Sequence, residues 1–392
     1  MLNKDNQREL AYVVTIDEIR PIPNYDRVEH ARVSGWWVIV KKDQFKVGDP
    51  AIYIEVDSRV PEKEPFMFLE KRNFKVKTLK MCKVISQGLL MAFEDFGWEK
   101  DKYEIGTFLT KELEITYASD EDNKRKAASM DKYKKMAQRR PNIFKKPWAR
   151  WMMRREWGRR VMFFFFGKKK DKRGGWPAWV VKTDEERCQN MPWLFPGNPE
   201  ETWIATEKVD GTSTTFTMKG YGRKREFYVC SRNVCFDRPD KGCYYETNVY
   251  TEMAEKYNIE EVLAKIMNAF DGELEFVTLQ GETYGEGIQR RDYGLKGHDF
   301  KAFNLIYGFK DGHVERLNPM TMTEALSIYN IPCVPIVDEY FVIPSTCDEL
   351  LKMAEGASAI DGGMREGLVF RSIDGARSFK AVSNPFLLKY HA

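Results

Sequence analysis

A chain of 392 residues, 43% apolar and 31% charged, has the length for two or three domains with real cores and an ordinary soluble composition. No apolar stretch follows Met1 to Asn6 to make a signal peptide, and seven cysteines without pairing rhythm fit a reducing, cytoplasmic setting. The net charge of +4 hides a strong asymmetry: between Lys124 and Arg173 lie 20 Lys+Arg against Asp131, Glu156 and Asp171, or +17, which leaves −13 for the remainder.

The first part of the chain, 1–119, reads as strand-rich. Tyr12, Val14 and Ile16 alternate with other residues, Trp36 to Val40 is a compact apolar run, and Ala51 to Val56 follows the turn Gly48-Asp49-Pro50. Phe74 to Val84 alternates apolar residues with lysine, as a half-exposed strand would, and Leu89 to Phe93 reads as another strand. Five short strands in about 110 residues fit a small barrel of OB type, a fold that often offers one face to oligonucleotides. A barrel that only packs and binds nothing is the competing reading, since fold alone does not fix function.

Composition changes abruptly over 120–175. Basic helical sequence is interleaved with Trp148, Trp151 and Trp157, and Met153, Trp157, Val161, Phe164 and Phe165 fall on one helical face. Three readings stand side by side. The segment is an interdomain helix whose cations track phosphates, an amphipathic membrane-surface helix over 144–166, or a solvated linker. A transmembrane span is excluded, because Val161 to Phe166 falls far short of the roughly 20 apolar residues required.

The remainder, 176–392, mixes strands (227–230, 274–277, 368–370) with helices (about 251–269, 321–329 and 346–355), an α+β pattern. Thr183 to Glu186 has capping-box spacing and predicts a short helix at its start. Cys230, Cys235 and Cys243 have neither CxxC spacing nor a nearby histidine, which argues against zinc.

Within this part, Ile204 to Ser213 predicts a strand running into a turn, with Lys208 where the strand gives out and Gly211 at the bend. Lys-x-Asp-Gly suits a nucleophile aimed at a phosphate, and its bland alternative is a surface hairpin. An amine attacks only when neutral, so burial, nearby cations or a metal must lower its pKa. The residues downstream decide between the two. Arg232 offers a planar charged fork. Glu282 lies in glycine-rich sequence after an apolar strand, placed for a ribose hydroxyl or a metal. Phe303 sits on a strand, placed to stack on a base. Glu366 precedes a glycine and a strand, as a hard-cation ligand can. Lys380 lies on a last strand, able to neutralise a phosphate.

In this order the residues resemble the covalent nucleotidyltransferases, namely ATP-dependent DNA and RNA ligases and RNA capping enzymes. Glu207 to Gly211 resembles motif I, Ser231 to Asn233 motif Ia, Gly281-Glu282 motif III, Phe303 with its neighbours motif IIIa, Glu366-Gly367 motif IV and Phe379-Lys380 motif V. The N-terminal part, through Pro21 to Glu29 and Phe45 to Asp49, is similar to the OB domain of an RNA ligase family in which that domain comes first. Only 12 residues follow Lys380, which leaves no room for the C-terminal OB domain of DNA ligases and capping enzymes. One departure stands out: many relatives carry a second lysine two places on in motif V, where this chain has Val382, leaving Lys389 or Lys380 alone to cover the role.

The resemblance implies an ATP-dependent RNA ligase in which Lys208 takes AMP, passes it to a 5′-phosphate end, and a 3′-OH then displaces it, most naturally at a nick in a duplex. It implies that Glu207, Arg232, Glu282, Phe303 and Lys380 hold ATP, that Asp210 and Glu366 serve Mg²⁺ or Mn²⁺, and that the partner is RNA or RNA/DNA with strand breaks, with no stable protein partner. An RNA guanylyltransferase and a non-catalytic nucleic-acid-binding protein are the rival readings.

Overall fold

A computed structural model gives the fold, described for residues 8–117, 143, 146–153, 155, 157–158, 161–162, 165, 176–237 and 248–391. The N-terminal domain holds strands β1 (Ala11–Thr15), β2 (Glu18–Ile22), β3 (Tyr25–Val33), β4 (Trp36–Lys41), β5 (Pro50–Ile54), β6 (Ser58–Arg59), β7 (Leu79–Met81), β8 (Val84–Ser86), β9 (Leu89–Met91) and β10 (Thr116–Tyr117). They form the small OB-type barrel. Strands β1 and β5 pair antiparallel, and β9 extends them. Both faces of this pair are buried, which explains the unbroken apolar runs. Tyr12, Val14, Ala51 and Tyr53 pack under Trp36 and Val38, while Ala11, Val13, Ile52 and Ile54 pack against Phe66 and Phe93.

The strand expected over Phe74 to Val84 is not continuous. Its second half is a hairpin of β7 and β8, turning through Cys82 and Lys83 at φ 54° and 64°. Two successive left-handed residues suit a tight two-residue turn, but that role usually falls to Asn-Gly. The alternation was a property of two arms rather than one strand.

In the insert, Pro147–Met153 forms helix α1, and the Arg155 guanidinium lies 3.8 Å over the Trp151 ring. Trp148, Trp151, Trp157, Val161 and Phe165 are all exposed, and the Trp151 and Trp157 rings meet edge to face with centroids 5.9 Å apart. Phe164 and most of 120–175 lie outside the described residues. Among those described, no helix is long and apolar enough to cross a membrane.

The second domain is built on two antiparallel sheets. One runs β18-β11-β19-β20, from β11 (Thr202–Lys208), β18 (Ile336–Val342), β19 (Gly367–Ser372) and β20 (Ser378–Val382). The other runs β14-β13-β12-β15-β16-β17, from β12 (Thr212–Lys219), β13 (Glu226–Ser231), β14 (Cys235–Asp237), β15 (Leu274–Gly285), β16 (His298–Phe309) and β17 (Val314–Arg316). The long helix expected at 251–269 is two, α2 (Val249–Lys256) and α3 (Ile259–Ala269), broken at Asn258, which adopts φ 48°. Ile259, Val262, Leu263, Ile266 and Met267 on α3 share one face and close the core over Val277, Leu279 and Leu305 of the larger sheet, along with α4 (Pro319–Ser327). Helix α5 (Cys347–Met353) covers the smaller sheet at Trp203, Phe370 and Phe379.

Helix α5 starts with a complete capping box, Thr346 with Glu349. The similar spacing at Thr183 to Glu186 makes none. That stretch has no regular secondary structure: Thr183 Oγ1 bonds Ser213 Oγ at 2.8 Å, and Glu186 O accepts from Lys380 N at 2.7 Å. Its backbone is committed to the free edge of β20, and a helix there would forfeit that pairing.

Candidate active site

Strands β11 and β12 are consecutive but belong to different sheets. The turn Val209–Gly211 therefore carries the chain across the cleft between them. Gly211 is fixed by crowding: a Cβ there would lie 2.3 Å from Thr283 O and 2.9 Å from Glu282 Cγ on β15. Only a glycine lets the turn press this close to the larger sheet. The result places Lys208 in the lining of a cavity of about 330 Å³ built from both sheets.

Seven of the eight residues singled out in the sequence line this cavity: Glu207, Lys208, Asp210, Arg232, Glu282, Phe303 and Lys380. The eighth, Glu366, reaches it through Lys208, whose Nζ lies 2.7 Å from Glu366 Oε2. Pairing of β11 with β19 sets this contact, because Lys208 stands opposite Gly367 in the ladder. Lys380 enters from β20, Glu282 and Phe303 from neighbouring β15 and β16. Phe303 packs with Val209 and Val334 as the apolar wall. Glu207 is buried, and its carboxylate accepts from Ser358 Oγ and, at 2.7 Å, from Ala359 N. Arg232 is more exposed and pairs with Asp184.

The charges act on one another. Burial alone would drive the Lys208 ammonium down, but Glu366, Glu282 and Asp210 outweigh it and hold its pKa above the ordinary lysine value. The expectation of a lowered pKa is thus reversed in the protein by itself. Burial, reinforced by Glu366 and Asp210, pushes the Glu282 carboxyl up to about 8, and burial likewise raises Glu366. Lys380 moves the other way, down to about 8, through burial and then the nearby cations Lys208 and Arg187. The site keeps one carboxyl and one amine close to their titration points at neutral pH, as functional sites commonly do.

Asp210 is tied down at two of its atoms. Its backbone N donates to Tyr293 Oη at 2.7 Å, and its Oδ1 accepts from His391 Nε2 at 3.0 Å. Oδ2 is buried with no hydrogen-bond partner, a state that costs about 1–3 kcal/mol for a polar group and more for a charged one. An oxygen left in this way beside Glu366 fits a hard divalent cation. No group of three or more His, Cys, Asp or Glu among the described residues forms a ready-made metal cage, so the fit is to an ion that keeps water or substrate oxygens as ligands, as Mg²⁺ does.

Several site residues were not singled out in the sequence. Arg371, on β19, is 1% exposed, lines the cavity and pairs with Glu185 at 3.1 Å. Val369, two residues earlier on the same strand face, lines the cavity as well. Gln289 donates to Gly211 O at 2.8 Å from a loop, and His391 comes from a distant segment; neither has a local signal. Lys389, considered as a replacement for the lysine absent at 382, does not line the cavity, and its ammonium lies 4.9 Å over the Tyr390 ring. Val382 itself is buried with Leu387 against Ile85 of the barrel.

Comparison with known proteins agrees with this architecture. Residues 10–93 match a family model described as an OB-fold domain, and residues 201–390 match one described as RNA ligase. Among solved structures, Naegleria gruberi RNA ligase with pyrophosphate is 27% identical, covering 98% of this chain and 99% of that one, with a TM-score of 0.63. A mutant of that ligase with ATP and Mn is 26% identical over 98% and 100% of the two chains, TM-score 0.65. Another mutant, with AMP and Mn, is 27% identical over 97% and 99%, TM-score 0.64. No curated protein matches the chain.

Proposed function

We propose that this chain, an ATP-dependent RNA ligase with an OB-fold domain ahead of its catalytic domain, joins an RNA 3′-OH to a 5′-phosphate through AMP carried on Lys208. The observation that carries the reading is the convergence of Lys208, Asp210, Glu282, Phe303 and Lys380 on one cavity, with Glu366 2.7 Å from the lysine.

In the first step the Lys208 amine attacks the α-phosphorus of ATP. A P–N bond forms and the P–O bond to pyrophosphate breaks. In the second, an oxygen of the 5′-phosphate end takes the AMP and Lys208 is released. In the third, the 3′-OH attacks that 5′-phosphorus and AMP leaves. Catalysis of this kind is mostly alignment and charge neutralisation. Phe303 stacks on adenine, Glu207 helps frame it, and Arg232 with Glu282 holds the ribose side. Lys380 offsets charge on the α-phosphate. Lys208 attacks only as the free amine, so the support it draws from Glu366, Glu282 and Asp210 must be withdrawn first, and neutralising those carboxylates does so. Asp210 and Glu366 are the residues to hold Mg²⁺ or Mn²⁺, which when bound supplies charge neutralisation at the α-phosphate.

The substrate we propose is a nicked duplex with an RNA 3′-OH, its flanks gripped by the barrel and by the +17 segment 124–173. Radiolabelled ATP and GTP test the chemistry. Label from ATP is expected on wild-type protein and none on Lys208→Ala; label from GTP alone would make the chain a guanylyltransferase, and no label at all a binding module. A panel of nicks with RNA or DNA on either side tests the substrate. Charge reversal of several arginines between 150 and 160 should weaken nicked-duplex binding and flatten its salt dependence; unchanged binding would refute the grip.

A further inference from the structure

The segment beyond β20 touches both domains and the site. Ser383 Oγ accepts from Phe386 N at 3.2 Å to cap a short helical turn at Asn384–Phe386, and the chain continues as a wide π-turn through Leu387–His391. On one side it meets the barrel. Leu387 and Val382 pack against Ile85 of β8, and Lys80 Nζ donates to Leu388 O at 3.0 Å. On the other side, buried Phe386 lies against Tyr390 (ring centroids 4.7 Å) and His391 (5.7 Å), which fixes the direction of the histidine. His391 Nε2 then donates to Asp210 Oδ1 at 3.0 Å.

We propose that His391 is a positioning residue for Asp210, and that segment 384–391 makes this positioning depend on the barrel being docked. Asp210 is tethered by its backbone N to Tyr293, but that bond leaves the carboxylate free to rotate. The bond from His391 fixes Oδ1, and so fixes where the buried, partnerless Oδ2 lies. Catalytic groups must be held within about half an ångström of their productive place by such supporting bonds. The wide turn is itself informative, since single π-turns recur at functional sites. Anchoring at Lys80, Ile85 and Leu387 means that a displaced barrel removes the support of the turn that aims the histidine.

The inference rests on the role given to Asp210 above, and the tests keep the two apart. His391→Ala should lower the rate of AMP attachment at saturating ATP by about tenfold, a cost typical of misplacing a reacting group, while KM for ATP stays within about twofold. His391→Gln keeps an N–H donor near the Nε2 position and should recover most of that loss. The shift in thermal midpoint caused by Mn²⁺ without ATP should shrink in the alanine variant and persist in the glutamine one. In an Asp210→Ala background, His391→Ala should cost nothing further. Leu387→Ala, remote from the cavity, should slow the same step. An unchanged rate in His391→Ala overturns the inference, as does a glutamine variant no better than alanine. If wild-type protein takes no AMP, it is the proposed function that fails.

Discussion

The pairing of Lys208 with three carboxylates yields a prediction whose sign depends on pH. Replacing Lys208 by Met removes the only cation bonded to Glu366, at 2.7 Å, among the described residues. At an effective dielectric near 20, that separation corresponds to about 6 kcal/mol of gross attraction. Desolvation of the two ions offsets most of it, and the lysine is still 25% exposed, so a net loss of about 2 kcal/mol is expected near pH 8. Glu366 and Glu282 already have raised pKa values in the fold. A carboxyl raised above its unfolded value loses stability as pH climbs from the unfolded to the folded pKa, and loses all of that increment above the folded one. Removing Lys208 raises both further and deepens the loss. At pH 5 the Glu282 carboxyl, raised to about 8, is protonated, and the penalty should be smaller than at pH 8 by about 1 kcal/mol. Urea unfolding of wild type and Lys208→Met at pH 5 and pH 8 measures this. Equal destabilisation at the two pH values, or none at pH 8, would refute the electrostatic account.

Other consequences are testable in the same protein. Gly211→Ala drives a Cβ to 2.3 Å from Thr283 O, so the turn must shift and AMP attachment should fall by about 100-fold, by single-turnover labelling, as expected for a nucleophile displaced by an ångström. Lys380 is held down to about 8, so its charge is lost as pH rises through that value; ATP affinity by calorimetry should weaken between about pH 7 and pH 9, and Lys380→Arg should reduce that slope, leaving the part due to Glu282, which titrates in the same range. Phe303→Ala should weaken ATP binding by about 1–3 kcal/mol through lost stacking, with little change in the rate at saturation.

Much of the site was legible because its parts are local. Lys208, Glu366 and Lys380 each sit at or near a strand whose apolar run is plain in the sequence, and ladder pairing of β11, β19 and β20 does the rest. What escaped is non-local. Thr183 to Glu186 has the residues of a capping box, but the edge of β20 claims its backbone. The break at Asn258 and the turn at Cys82-Lys83 use left-handed residues without a glycine. The raised pKa of Lys208 depends on carboxylates 74 and 158 positions away in the chain (282 − 208 and 366 − 208). His391 depends on the barrel and the π-turn together.

Val382 has a consequence for how such a chain can change. Its side chain faces Ile85 across the domain boundary, so a lysine introduced there alone would bury an ammonium in an apolar contact. Acquiring the second cation therefore requires a compensating change at Ile85 or Leu387. The three positions should drift as a set, in lineages where the barrel face and the last strand are inherited together.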